Sequence, residues 1–163
     1  MASSLIAFLA QYFYLIVLAL AVALLAVQFY VRRDDPGQRR KLVELITAVI
    51  CIGVLAFLLA QVGTHLIISP RPFLESGRPP LIPSSVDNGF PSDHTLLLAV
   101  AAAVITLVNW RWGLLFWGLA IIVGLARVYA GVHHLTDVAG SLMIASLSYG
   151  VFLLGKRFAD RLR

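Results

Sequence analysis

The sequence predicts an all-α, multi-pass membrane protein, a helical bundle with about five transmembrane helices in a single domain over residues 1–163. Hydrophobic residues make up 60% of the chain, charged residues make up 13%, and the mean hydropathy is +0.90. A soluble domain carries about 25% charged residues, so this chain has too little polar surface to cover a globule. High hydrophobicity also excludes a disordered chain, and the single cysteine, Cys51, excludes a disulfide scaffold.

The elements follow from the apolar segments, because a helix needs about 20 mostly apolar residues to cross a bilayer. We expect the first segment to be a retained anchor rather than a signal peptide, since it lacks a positively charged start. The segment between the second and third helices holds six of the seven prolines and is predicted to be a functional loop. The predicted helices cover residues 5–31, 42–68, 94–109, 113–131 and 135–154, and the loop covers 69–93.

The basic residues predict the orientation of the bundle. With five helices, ten of the thirteen Lys and Arg residues fall on one side, which the positive-inside rule places in the cytoplasm. The loop 69–93 is therefore predicted to face outward, and no nucleic-acid partner is expected despite the net charge of +5. Glu44 is expected to pair with Arg40 or Lys41. The ten residues are Arg32, Arg33, Arg39, Arg40, Lys41, Arg111, Lys156, Arg157, Arg161 and Arg163.

Three polar clusters fall on the predicted outer face: Arg71-Pro72, Pro91-Ser92-Asp93-His94, and Arg127 with His133 and Asp137. Polar side chains are costly at membrane depth, so they indicate a functional site. His133 and Asp137 are four residues apart and share a helical face, so the carboxylate can fix one imidazole nitrogen and leave the other as a nucleophile. The alternative for this pair alone is a helix cap.

The second cluster lies at the predicted start of the third helix. Ser92 or Asp93 can cap this helix, and its free N–H groups favour a phosphate. His94 is placed to protonate a leaving oxygen, and Arg127 can offer a planar fork of donors to a phosphate. Taken alone, the cluster also fits an ordinary capped helix start with an interfacial histidine.

Together these motifs resemble the type 2 phosphatidic acid phosphatase family of integral membrane lipid phosphatases. The family signature is Lys-x6-Arg-Pro, then Pro-Ser-Gly-His, then Ser-Arg-x5-His-x3-Asp. The chain retains Arg71-Pro72, Pro91-Ser92-Asp93-His94, and the spacing from Arg127 through His133 to Asp137. The phrase Asp-Asn-Gly-Phe-Pro-Ser-Asp-His-Thr over residues 87–95 resembles, more narrowly, the bacterial undecaprenyl-diphosphate phosphatases of the bacitracin-resistance type, which have a five-helix form.

The chain departs from the signature at three positions. Thr64 stands where the family has lysine, Asp93 replaces the glycine of the second motif, and Ala126 replaces the serine of the third. His65, next to Thr64, is a candidate for the missing positive charge. Four residues are therefore auxiliary candidates beside the motif residues: Thr64, His65, Pro72 and His134.

The resemblance implies hydrolysis of undecaprenyl diphosphate to undecaprenyl phosphate and inorganic phosphate, which recycles the carrier lipid of cell-wall synthesis. It implies a bacterial cytoplasmic membrane, an outward-facing site, and no metal or other cofactor. His133 is the implied nucleophile, which forms a phosphohistidine; Asp137 orients it, and His94 is the acid and base. The implied phosphate-binding residues are Arg71, Arg127, Ser92 and Asp93.

Two alternatives stay open at this level. The substrate can be another lipid phosphate, such as phosphatidylglycerophosphate or phosphatidate, because nothing in the apolar helices encodes the lipid. In a different class, the chain can be a non-catalytic protein that binds or transports a lipid head group. The expected partners are the lipid phosphate and the surrounding membrane lipids.

Overall fold

A computed structural model describes residues 2–31 and 33–162. In these ranges the chain forms seven helices and no strand: α1 Ala2–Gln11, α2 Phe13–Val31, α3 Gln38–Leu66, α4 Pro72–Ser76, α5 Asp93–Val108, α6 Trp110–Tyr129 and α7 Leu135–Arg161. Of these, α2, α3, α6 and α7 are long and apolar enough to cross a membrane, while α5 is a shorter apolar helix. The predicted all-α membrane bundle is confirmed.

Helix α5 forms the centre of the bundle and packs against α2, α3, α6 and α7. Its 16 residues extend over about 24 Å. Alanines at 99, 102 and 103 are fully buried and let neighbouring helices approach closely. From α2, Val17 and Ala21 contact this surface, and from α6, Phe116, Ala120 and Val123 do so. At the start of α5, Ser92 and Thr95 are fully buried within the bundle, whereas Asp93 is exposed.

The first predicted helix, 5–31, is in fact two helices separated by a turn at Tyr12. The two halves pack against different partners. Ala10 of α1 is buried with Ala126 and Ala130 at the end of α6, whereas α2 packs against α5. The polar residue Gln11 lies at the break, but apolar residues follow and precede it closely, so the mean hydropathy of the segment alone does not reveal the break.

Other boundaries differ where polar residues extend a helix beyond its apolar segment. Helix α3 begins at Gln38 instead of 42, and α7 continues to Arg161 instead of ending at 154. Helix α6 begins three residues earlier than predicted, because Asn109 Oδ1 accepts hydrogen bonds from the backbone N–H groups of Arg111 and Trp112. The loop 69–93 contains the short helix α4.

The end of the bundle opposite this loop carries most of the basic residues, and we call it the basic end; it comprises residues 33–41, 109–112 and 155–162. Glu44 was expected to pair with Arg40 or Lys41, but it pairs with Lys156 of α7. Lys41 instead pairs with Asp35, at 2.7 Å from Nζ to Oδ2. A residue from another helix is the partner of Glu44 because the start of α3 packs beside the end of α7. Arg32 and Arg163 lie outside the described residues.

Candidate active site

The polar clusters meet at one end of the bundle, which we call the site end: the loop 69–93, the start of α5, and the turn between α6 and α7. Asn88 fastens the loop to α3. Its Oδ1 accepts from the Ser69 N–H at 2.8 Å, and its Nδ2 donates to the carbonyls of Thr64 and Ile67 at 2.9 and 2.8 Å. One amide side chain thus orders both ends of the loop.

Phe90 closes the gap between α3 and α7. A Cβ built on Gly63 of α3 would lie 2.7 Å from Phe90 Cε1, and one on Gly140 of α7 would lie 2.2 Å from Phe90 Cε2. Both helices therefore need glycine where the ring inserts. This packing sets the position of Gly89 and Pro91 on either side of Phe90.

His133 is buried, with 2% of its surface exposed. Its Nδ1 lies 2.9 Å from the Gly89 carbonyl oxygen and 3.4 Å from Asp137 Oδ2. Because a carbonyl only accepts, we assign the ring proton to Nδ1 and the free lone pair to Nε2. Nε2 lies 3.4 Å from Arg71 Nη1. The ring therefore presents its unprotonated nitrogen beside a guanidinium group.

The surroundings of His133 also keep it neutral. Burial lowers the pKa of His133, and the positive charges of Arg127 and Arg71 act in the same direction, while the Asp137 carboxylate opposes them. The net pKa lies below the ordinary value of 6.5. At neutral pH the imidazole is uncharged, which is the form a nucleophile requires.

Asp137 is completely buried and has a donor at each oxygen. Oδ1 accepts from the Ser69 hydroxyl at 2.7 Å, and Oδ2 accepts from the His134 N–H at 2.8 Å while facing His133. The bond from His134 caps the first turn of α7. Asp137 is the third residue of α7 and makes the capping-box bond to the N-cap residue His134, and it is also the carboxylate beside His133. The two alternatives that its spacing left open are therefore compatible in one side chain.

Arg71 is 6% exposed and is held in place from two sides. Its Nε and Nη2 donate to Asp87 Oδ1 at 3.0 and 2.7 Å, and Nη1 donates to the Val132 carbonyl at 3.0 Å. The hydroxyl of Ser85 and the Arg71 guanidinium lower the pKa of Asp87, although burial acts in the opposite direction. Asp87 is therefore ionised at neutral pH and fixes the Arg71 side chain beside His133.

Arg127 is also buried, at 7% exposure. Its Nη1 donates to the Ala10 carbonyl at 3.0 Å, but its Nε–H has no hydrogen-bond partner in the described part of the chain. A buried guanidinium with an unsatisfied donor is costly. An anion beside Arg127 would remove this cost, which makes it a suitable phosphate ligand.

The Pro91–His94 motif lies at the start of α5, as predicted. Ser92, one of the two predicted cap candidates, occupies the cap position, although its side chain makes no capping hydrogen bond. Instead, Ser92 Oγ accepts from Thr95 Oγ1 at 3.1 Å, because the residue is fully buried. Asp93 is the exposed first residue of the helix. His94 follows, with its ring 4.2 Å from that of Tyr14.

The auxiliary candidates lie around these residues. Thr64 Oγ1 is 3.0 Å from the Ala60 carbonyl and 3.1 Å from that of Phe90, so its hydroxyl binds backbone. His65 is exposed and makes no hydrogen bond or ion pair with the rest of the described chain. Pro72 begins α4. His134 Nε2 lies 3.0 Å from the Pro70 carbonyl and 3.3 Å from Glu75 Oε2.

Several contacting residues were missed at the sequence level: Ala10, Tyr14, Ser69, Asp87, Asn88 and Gly89. Three of them, at 87–89, belong to the phrase over residues 87–95 that carries the narrower resemblance, and this membership could have identified them as site residues. The other three lie in apolar or proline-rich sequence, where no motif distinguishes them. Within the described ranges no group of three or more His, Cys, Asp or Glu side chains is arranged to hold a metal ion.

The fold and the motifs place the chain in a family: it belongs to the PAP2 superfamily, whose family model matches residues 41–159. It is 35% identical over 114 residues to undecaprenyl-diphosphatase BcrC of Bacillus subtilis (strain 168), an alignment that covers 68% of this chain and 56% of the relative. It is 41% identical over 68 residues to the bacitracin transport permease protein BcrC of Bacillus licheniformis, which covers 42% of this chain and 34% of the relative. The chain thus spans about half or less of these relatives' length.

Among solved structures, the chain is similar to a transmembrane PAP2 type phosphatidylglycerolphosphate phosphatase from Bacillus subtilis. The superposition has a TM-score of 0.56 at 25% sequence identity and covers 99% of this chain and 77% of the other. Unlike the family model, this superposition includes the N-terminal helices. The bundle as a whole is therefore a PAP2-type membrane fold.

Proposed function

We propose that this membrane protein is a lipid phosphatase that hydrolyses undecaprenyl diphosphate to undecaprenyl phosphate and inorganic phosphate. The observation that carries the proposal is the state of His133: a buried, neutral imidazole whose Nδ1 is held by Gly89 and Asp137 and whose Nε2 lies beside Arg71. This is the arrangement that attack on a phosphoryl group requires. The name of the Bacillus subtilis relative, undecaprenyl-diphosphatase BcrC, supports the choice of substrate.

In the first step, the Nε2 lone pair of His133 attacks the terminal phosphorus. A P–N bond forms while the bond from that phosphorus to the bridging oxygen breaks, and the bond electrons stay with the leaving undecaprenyl phosphate. His94 donates a proton to the leaving oxygen. Asp137 and the Gly89 carbonyl stabilise the positive charge that develops on the His133 ring.

In the second step, His94 accepts a proton from water as the water oxygen attacks the phosphohistidine. The P–N bond breaks, its electrons return to Nε2, and inorganic phosphate leaves. Arg71 and Arg127 offset the charge on the phosphoryl oxygens in both steps. The backbone N–H groups in the first turn of α5 add donors at the positive end of the helix.

We place the site at the outer surface of the cytoplasmic membrane. Support comes from the charge distribution, since eight of the ten predicted cytoplasmic basic residues lie among the described residues of the basic end. In a Cys51→Ala background, Ser76→Cys should react with an impermeant thiol reagent on intact cells, and Asp34→Cys at the basic end should react only after lysis. The reverse pattern would invert the orientation.

The function is tested by phosphate release from the purified protein in detergent, with undecaprenyl diphosphate, phosphatidylglycerophosphate and phosphatidate as substrates. We expect the highest kcat/KM for undecaprenyl diphosphate and no loss with a chelator. Phosphatidylglycerophosphate is the second candidate, because the structural neighbour from Bacillus subtilis is a phosphatidylglycerolphosphate phosphatase. No release from any substrate would refute the proposal and favour the non-catalytic alternative, a protein that binds or transports a lipid head group. The name of the Bacillus licheniformis relative, a bacitracin transport permease protein, is likewise that of a transport protein.

The pH dependence tests the state of His133. Protonation removes its nucleophilic lone pair, so kcat/KM for undecaprenyl diphosphate should fall as the pH drops through the His133 pKa. Because that pKa is lowered from 6.5, the midpoint of the acid limb should lie below pH 6.5. A midpoint above this value would contradict a neutral, buried nucleophile.

A further inference from the structure

We propose that Tyr14 is a positioning residue for His94. It belongs to the N-terminal segment, which precedes the residues 41–159 that match the family model. The role given to His94 rests on the proposed function. The contact itself is a property of the fold and can be tested without activity.

The break between α1 and α2 brings this segment to the site. In a continuous helix the Ala10 carbonyl would accept from the N–H of Tyr14, four residues on. Here it accepts from Arg127 Nη1 at 3.0 Å. Ala10 is fully buried against Ala126 of α6 and against Ala130, which directly follows that helix. The end of α1 is therefore packed against the helix that carries Arg127. After the break, α2 takes a new direction along α5, and Tyr14 lies in its first turn.

The Tyr14 ring then lies directly against His94. The two ring centroids are 4.2 Å apart and the ring planes are inclined by 75°, an edge-to-face contact. Tyr14 lies in the first turn of α2, and His94 lies in the first turn of α5. The contact thus joins an element outside the family match to a motif residue inside it.

His94 and His133 differ in how their rings are held. Nδ1 of His133 has a carbonyl and a carboxylate as partners. The His94 ring makes no hydrogen bond to other residues in the described ranges, and the Tyr14 ring restricts its rotation. General acid–base transfer needs a heavy-atom distance of about 2.6–3.2 Å. A freely rotating His94 would satisfy that distance only part of the time. Tyr14 therefore promotes proton transfer by keeping the His94 ring in one orientation.

The kinetic test compares Tyr14→Ala, Tyr14→Phe and the control Tyr12→Ala, which removes an exposed ring from the same break. We expect Tyr14→Ala to lower kcat by about 10-fold, part of the general acid–base contribution, with KM nearly unchanged. Tyr14→Phe keeps the ring contact and should retain parental kcat, as should Tyr12→Ala. Where Tyr14→Ala fails to fold, Tyr14→Leu replaces it, since it keeps apolar bulk without a planar ring.

A second measurement needs no turnover. Diethyl pyrocarbonate modifies accessible imidazoles, and mass spectrometry of the peptide that contains His94 gives its modification rate. The rate should rise in Tyr14→Ala and stay parental in Tyr14→Phe and Tyr12→Ala. A parental modification rate of His94 in Tyr14→Ala overturns the inference. So does a loss of kcat in Tyr14→Phe or in Tyr12→Ala that equals the loss in Tyr14→Ala. If the parent protein releases no phosphate, the proposed function fails, and the modification rates still decide the role of Tyr14.

Discussion

The site end and the basic end of the bundle hold charged residues in opposite ways. At the site end Arg71, Arg127 and Asp137 are at most 7% exposed. At the basic end, the side chains of the Arg33–Asp34 pair are 61% and 94% exposed. An exposed ion pair contributes about 0–1 kcal/mol, whereas an unsatisfied buried charge costs several kcal/mol. The comparison indicates that the site end buries charged groups at a cost, as the proposed phosphoryl-transfer site would require, while the basic end leaves its charged groups in solvent.

The largest effect should come from His133→Ala, which removes the proposed nucleophile. We expect turnover of undecaprenyl diphosphate to fall by at least about 10⁴-fold, as for loss of a nucleophile in other enzymes, and the acid-labile phosphoenzyme to disappear. Phosphate release and labelling with 32P-substrate measure both effects. Arg111→Ala is the control, since Arg111 is exposed at the basic end. Parental activity in His133→Ala would contradict the assignment of His133 as the nucleophile and of the site end as the place of the reaction.

Arg127→Ala sharpens the comparison between buried and exposed cations. Loss of one charge-assisted contact to phosphate costs about 1.5–3 kcal/mol, which corresponds to a roughly 10- to 150-fold loss in kcat/KM. Arg111→Ala, an exposed arginine at the basic end, should leave kcat/KM unchanged. Equal losses in the two variants would show that net charge, and not the buried position, determines activity.

Two glycines of α7 compare tight packing near the site end with open space further along the helix. At Gly140 an added Cβ would lie 2.2 Å from Phe90 Cε2, whereas at Gly150 it would meet nothing within 4 Å. Gly140→Ala should destabilise the protein by about 1–3 kcal/mol through overpacking. Gly150→Ala should be neutral, or stabilising by up to about 1 kcal/mol through helix propensity. Thermal unfolding in detergent compares them, and equal melting temperatures would contradict the tight insertion of Phe90.

The smallest effect should come from Lys156→Met, which breaks the pair with Glu44 at the basic end. Both side chains are about 40% exposed, so water replaces the lost partner, and the change in unfolding free energy should be at most about 1 kcal/mol. Phosphate release should stay at the parental value. A loss of activity here would indicate coupling between the two ends of the bundle.

Much of the fold followed from the sequence because the responsible forces act locally or act on composition. Continuous apolar segments specify a membrane bundle, and the start of α5 lies where the Pro91–His94 motif predicts it. The four-residue spacing of His133 and Asp137 places both at the start of α7, and the structure brings them within 3.4 Å of each other. The catalytic roles assigned to them stay predictions.

Other contacts at the site end had no such local origin. Ser69 reaches Asp137 across 68 residues of sequence, and Arg127 reaches Ala10 across 117. Asn88 belongs to a recognisable motif, but its bonds to Thr64 and Ile67 form only once α3 and the loop are packed together. Thr64 was an auxiliary candidate because it stands where the family has lysine, and only the packed structure brings its hydroxyl within hydrogen-bond distance of the Phe90 carbonyl.

By itself, then, the sequence determined the class of protein, the order of the helices and the motif residues, because hydropathy and spacing along one helix are one-dimensional properties. Only the tertiary structure decided where the first helix breaks, which residue pairs with Glu44, and which partners hold Arg71, Arg127 and Asp137. Those outcomes depend on how small residues in α5, α6 and α7 let the helices approach. A buried polar group bonds to whatever donor or acceptor that packing brings within about 3 Å.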